Sequence, residues 1–159
     1  MIKERQKGIG IIEVLISISI ITIVFFSFLT LSQYSLKLQS QNKSKLEAAN
    51  IAIETIEAAR SFRNENWDNF FALSIGTLYY PVISNNKWTL ELDNPGLING
   101  KYNRWIIVES VLRDANDNIN NSGIEDNQTR KITALVQWQD REQTKEISLN
   151  TYLTNWNNE

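Results

Sequence analysis

Residues 8–31 read GIGIIEVLISISIITIVFFSFLTL, and the only charge in the run is Glu13. Between Val14 and Leu36 no residue is charged. At about 1.5 Å of rise per residue, Ile9 to Leu31 as a helix covers roughly 34 Å, against a hydrocarbon core of about 30 Å. The stretch is long enough to span a bilayer. Residues 1–8, MIKERQKG, set Lys3, Arg5 and Lys7 against Glu4. This basic leader places the N-terminus in the cytoplasm and the bulk of the chain outside, by the excess of Lys and Arg on the inner side.

Two plain readings of this segment fall short. A cleaved secretory signal has a shorter apolar region that ends near a small-residue site on its far side. Here the apolar stretch runs on into a helical pattern instead. A simple signal anchor explains length and charge but gives no reason for Glu13. An ionised carboxylate deep in lipid costs several kcal/mol, a penalty that falls if it snorkels from near a helix end.

The run Gly8-Ile9-Gly10-Ile11-Ile12-Glu13-Val14-Leu15-Ile16 behind a basic leader resembles the prepilin signal of type IV pilins and type II secretion pseudopilins. It is similar in its Gly, hydrophobic residue, small residue, two aliphatics and Glu. The resemblance implies that a prepilin peptidase cuts between Gly8 and Ile9, on the cytoplasmic side of the apolar stretch. It also implies N-methylation of Ile9 by the same enzyme and a role for Glu13 in assembly register. Ile9 stands where Phe or Met is usual, and Gly10 where Thr or Ser is more frequent. Thr22 and Thr30 occupy the places of the helix-breaking Gly and Pro of many major pilins, so local melting of the helix is not implied.

The chemistry of Glu13 fits this picture. Cleavage creates a positively charged amine at Ile9, and in a helical bundle a neighbour's Glu13 carboxylate would pair with it. Such a buried pair adds little net stability, but leaving one member unpaired costs about 3–5 kcal/mol. The pair therefore selects axial register, as buried polar residues do in coiled coils.

Beyond Leu36 the chain becomes polar, Asn-rich and aromatic. Leu46, Ala49, Ile53 and Ile56 follow helical spacing, with Ala52 and Ala59 widening the stripe. From Ile11 onward no Pro or Gly occurs until Gly76. One helix from about Ile9 to about Phe62 is expected, on the order of 80 Å long, its second half packed on a sheet. Around NENWDNFF (64–71) a short helix or loop is expected, with Trp67, Phe70 and Phe71 plugging the core. Strands are expected at KWTLELD (87–93), with Trp88, Leu90 and Leu92 on one face, and at 104–113, 129–139 and 144–153. Asn94-Pro95-Gly96 is a turn signal, and Asp140-Arg141-Glu142 closes a hairpin of the last two strands. One helix followed by clustered strands implies an α+β fold, a long N-terminal helix packed on a C-terminal antiparallel sheet, which is also the pilin outline. Val136-Gln137-Trp138 with the closing Tyr152-Leu153-Thr154-Asn155-Trp156 further resembles minor-pilin-like proteins. The expected division is a leader at 1–8, a membrane or filament-core helix at 9–31, its amphipathic half at 32–62, and a globular domain at 63–159.

Composition narrows the function. The chain has 159 residues, no Cys and no His, and a formal net charge of −2. The absence of His and Cys removes the commonest general base, the usual zinc ligands and any Ser-His or Cys-His pairing. No enzymatic activity is expected, and surface aromatics such as Trp88, Trp105 or Trp156 would be contacts only in a binding module. Losing residues 1–8 takes the net charge from −2 to about −4, which disfavours direct nucleic-acid contact. In DANDNINNSGIEDNQ, Asp114, Asn116, Asn118, Asn120 and Glu125 take the first, third, fifth, seventh and twelfth places of an EF-hand calcium loop. Ile119 stands where that loop turns on Gly, and strands rather than helices flank it. A solvated hairpin loop is the expected reading, with no cofactor and calcium as the alternative.

The expected function is a minor-pilin-like structural subunit of a type IV pilus or related filament. Its expected partners are the prepilin peptidase, other pilin or pseudopilin subunits, an inner-membrane assembly platform and membrane lipid. The chain would cross the membrane once and end on the cell surface. The alternatives are a type II secretion pseudopilin and a membrane-tethered binding or adhesion module that does not polymerise.

Overall fold

The computed structural model describes residues 10–156, so Gly8 and Ile9, the expected cleavage site, lie outside the described residues. Helix α1 runs unbroken over Ile11–Glu65 and a five-residue α2 follows at Trp67–Phe71. Six strands come next: β1 Leu78–Ser84, β2 Lys87–Glu91, β3 Tyr102–Arg113, β4 Ile119–Asn120, β5 Ile124–Asp140 and β6 Gln143–Thr154. The chain divides after residue 43 into two compact units.

Within the first unit the helix needs no sequence signal beyond the absence of Gly and Pro. An 18-residue window reaches a mean hydropathy of 2.6, and none of it is buried. By length and composition this helix is a candidate membrane span.

The second unit is an α+β domain: the C-terminal part of α1 lies on one face of an antiparallel sheet ordered β2-β1-β3-β5-β6, with β4 added to β3. Its centre is the β3–β5 pair, in register from Tyr102↔Trp138 to Ser110↔Arg130. Alternate residues of β5, Arg130, Ile132, Ala134, Val136 and Trp138, are buried, the period expected of a sheet covered on one face. Against them lie two apolar clusters. One gathers Ala59, Phe70, Tyr79, Ile106, Val108, Ile132 and Leu153; the other gathers Ala48, Ile51, Ala52, Tyr102, Val136 and Trp138.

The helix face differs from the expected stripe. The buried residues are Ala48, Ile51, Ala52, Thr55, Ala58 and Ala59, whereas Leu46 is 64% and Ile53 52% exposed. The spacing is still helical, but Tyr102 and Trp138 on the sheet, with Phe70 on α2, supply the bulk. Small side chains on the helix let the two layers approach, which the largest aliphatics would prevent. Thr55 is tolerated in the core because its hydroxyl donates to the Ile51 carbonyl at 2.7 Å.

Strand β1 is an addition to the expected set, since Pro81 sits inside it and argues against a strand. Pairing explains the exception. β1 joins β3 only at Leu78 and Tyr79, and from Tyr80 onward its partner is β2 alone. Asn85 and Asn86, at φ 50° and 63°, make the two-residue turn between β1 and β2, a geometry that Asn tolerates well. Leu92 falls beyond the end of β2 and is exposed. Near Asn94-Pro95-Gly96 the expected turn is present, with the Gly96 amide donating to Asn94 Oδ1 at 2.9 Å. The short helix at 67–71 covers the core as expected: Phe70 is fully buried, and the Trp67 ring packs on Phe70 and Phe71 at 5.6 and 5.9 Å.

Candidate functional site

The apolar half of α1 is the first candidate. Every residue from Gly10 to Ser40 is exposed, including Ile11 at 81% and Phe28 at 66%. A run of exposed Ile, Leu and Phe this long is incompatible with water as its surroundings. Between Val14 and Leu31 five hydroxyls interrupt it, and each is satisfied within the helix. Ser17, Ser19, Thr22, Ser27 and Thr30 donate to the carbonyls of Glu13, Leu15, Ile18, Ile23 and Phe26, four residues back, at 2.8–2.9 Å. This pattern removes the cost of carrying a hydroxyl into an apolar medium. Thr22 and Thr30, at the places of helix breakers in the resembling family, therefore sit in continuous helix. In the sequence these hydroxyls are marked only by their position within an apolar run.

Glu13 lies in the first turn of α1. The Glu13 and Val14 amides donate to the Gly10 carbonyl at 3.0 and 3.3 Å. A carboxylate at a helix N-terminus faces the positive end of the helix dipole. Its side chain is exposed and has no ion-pair partner among the described residues.

The Asp114–Glu125 segment is the second candidate. It forms the far end of the β3–β5 hairpin, with β4 pairing back at Leu112↔Asn120 and Arg113↔Ile119. Asp114 Oδ1 accepts the amides of Asn116 and Asn118 at 2.8 and 3.0 Å. The Asn118 and Asn116 amides, helped by the Asn118 and Asn120 side chains, hold the Asp114 carboxyl below its ordinary range. Four of the five calcium-loop positions thus gather, with N–H donors turned on the one carboxylate. Glu125 takes no part in these bonds and accepts from Arg130 at 3.0 Å. Beside the turn a cleft of about 490 Å³ is lined by Arg113, Asp114, Asp117, Glu125 and Asp126 among others, and Arg113 Nε donates to Asp126 at 2.7 Å. Among the described residues no group of three or more acids is arranged to hold a metal ion.

The aromatics named from sequence separate clearly. Trp88 is half-buried under the Arg104 guanidinium, 5.2 Å from its ring centroid. Trp105 is half-buried, and Trp156 is 67% exposed. Compared with family models, curated proteins and solved structures, the chain matches none.

Proposed function

We propose that this chain is a structural subunit of a type IV pilus or related filament, of the minor-pilin kind. The observation that carries the reading is the order of three features: a basic leader ending in Gly8, Glu13 in the first turn of a helix, and an apolar run along that helix with no buried residue. Each has a physical use in such a subunit. The leader holds the N-terminus in the cytoplasm, and cleavage after Gly8 frees the Ile9 amine. The apolar helix rests in lipid until it packs among the helices of other subunits. Glu13 selects register by pairing with a neighbour's Ile9 amine. No catalysis is required of the chain itself; it is the substrate of the peptidase.

The test is co-expression of the full chain with a prepilin peptidase, followed by N-terminal sequencing and intact mass. A chain starting at Ile9, with or without one added methyl group, is the expected result. An intact N-terminus, with the peptidase active on a control substrate, would overturn the proposal in favour of a membrane-tethered binding module.

A further inference from the structure

A second cleft, of about 190 Å³, opens where α1 ends, lined by Arg63, Asn66, Trp67, Asp68, Asn155 and Trp156 among others. Its inner atoms are fixed. Asn66 Oδ1 accepts the Asn69 amide at 2.9 Å, and Arg63 Nη1 donates to the Thr154 carbonyl at 2.8 Å. Trp67 is held by its ring contacts with Phe70 and Phe71. Two groups on the cleft, Trp156 and Asp68, have no such partner among the described residues. The Trp156 indole makes no ring contact or hydrogen bond among the described residues, and the Asp68 carboxylate has no hydrogen bond or ion pair there. An indole left 67% exposed is unusual for so large an apolar group.

We infer that this cleft binds one uncharged pyranose ring. The Trp156 face suits the C–H face of a sugar, while the second indole, Trp67, walls the cleft. A carboxylate such as Asp68 accepts from neighbouring hydroxyls, and the outer N–H groups of Asn66 and Arg63 donate to them. Charge sets the class: Arg63 and Asp68 cancel, and Glu65 is already paired with Lys87, so the cleft offers no surplus cation for a phosphate or acidic sugar. The inference stands whether or not the chain joins a filament.

The test uses the full chain in a phosphocholine detergent, since sugar-headed detergents would compete, and follows the five indole N–H signals by NMR. The probes are the methyl glycosides of glucose, galactose, mannose and N-acetylglucosamine. At least one should shift Trp156 and Trp67 saturably, with a midpoint on the order of millimolar for so small a ligand, while Trp88, Trp105 and Trp138 stay still. Trp156→Ala and Asp68→Asn should each weaken binding about tenfold or more, with the remaining indole signals unmoved to show intact folding. No shift at Trp156 up to about 50 mM of every probe would overturn the inference. So would a Trp67 shift that survives Trp156→Ala unchanged. A Trp156 signal that moves with protein concentration alone would overturn it too, by making the cleft a contact between copies.

Discussion

The Tyr102 phenol donates to a Glu47 carboxylate oxygen at 2.6 Å, joining the start of β3 to α1 from a site that is 1% exposed. Lys101 reinforces the joint by donating to Ser44 Oγ at 2.6 Å. Burial first, and the Glu47 carboxylate second, push the Tyr102 phenol up to about 12. The raised value means that this contribution to stability is complete below the unfolded phenol's range near 10, and is lost as pH rises from there through about 12. Tyr102→Phe removes a hydrogen bond to a charged acceptor and should cost about 1.5–3 kcal/mol in denaturant unfolding. It should also flatten the alkaline end of the stability profile; an unchanged profile would show that the bond carries no weight.

The alanine face of α1 gives a paired test. Ala52 is fully buried and Leu46 is 64% exposed. Ala52→Leu should destabilise the domain by about 1–3 kcal/mol through overpacking, while Leu46→Ser should change the same unfolding free energy by less than about 0.5 kcal/mol. The reverse ranking would put the helix on the sheet by its other face.

Gly123 has φ 144°, and a Cβ placed there would lie 2.0 Å from the Arg113 carbonyl oxygen. The neighbour is backbone in the β3–β5 pairing and has no rotamer to change. Gly123→Ala should cost about 2 kcal/mol or more. Hydrogen exchange should show lost protection first at Leu112, Arg113 and Ile124.

Acid stability follows from two carboxylates on the sheet. Glu109 is held below its ordinary value mainly by the hydrogen bond from Lys131, against an opposing effect of burial. For Asp126 burial pulls upward most strongly, but the Thr129 hydroxyl, Arg113 and the Gln128 amide together outweigh it. Depressed values contribute stability above the unfolded carboxylate range near 4, and that stability is lost as pH falls through the folded values. A melting series should therefore decline below about pH 4, and Glu109→Gln with Asp126→Asn should make the decline shallower.

Glu13→Ala should leave cleavage between Gly8 and Ile9 unchanged and remove the chain from sheared filaments, measured by immunoblot of membrane and filament fractions. Normal incorporation of this variant would sink the register role assigned to Glu13.

The long helix is legible because no Gly or Pro interrupts the chain between Ile11 and Gly76, and β3, β5 and β6 are legible as runs rich in β-branched, aromatic and aliphatic residues bounded by polar turns. The helix's buried face is not, because side-chain size misleads as a guide to burial where Tyr102 and Trp138 on the sheet leave room mainly for alanines. Pro81 hides β1, since its place depends on where β1 leaves β3, a fact of pairing rather than of local sequence. The turn at Asp114 is legible as a hairpin loop, but calcium-loop spacing along the chain does not reveal that Asn116 and Asn118 approach Asp114 through their amides. The Trp67–Trp156 cleft joins residues 89 positions apart, and no local pattern announces it.

The five back-bonded hydroxyls have a consequence for exchange between surroundings. A helix that closes its own backbone and hydroxyl bonds asks nothing polar of its neighbours. Moving it from lipid into a dry bundle of similar helices is then close to isoenergetic in polar terms, and shape alone decides the preference. Such a segment is portable, able to leave one apolar medium for another without a solvation barrier along its length. Glu13 is the exception, the single point on the apolar run at which the new surroundings must supply a chemical answer.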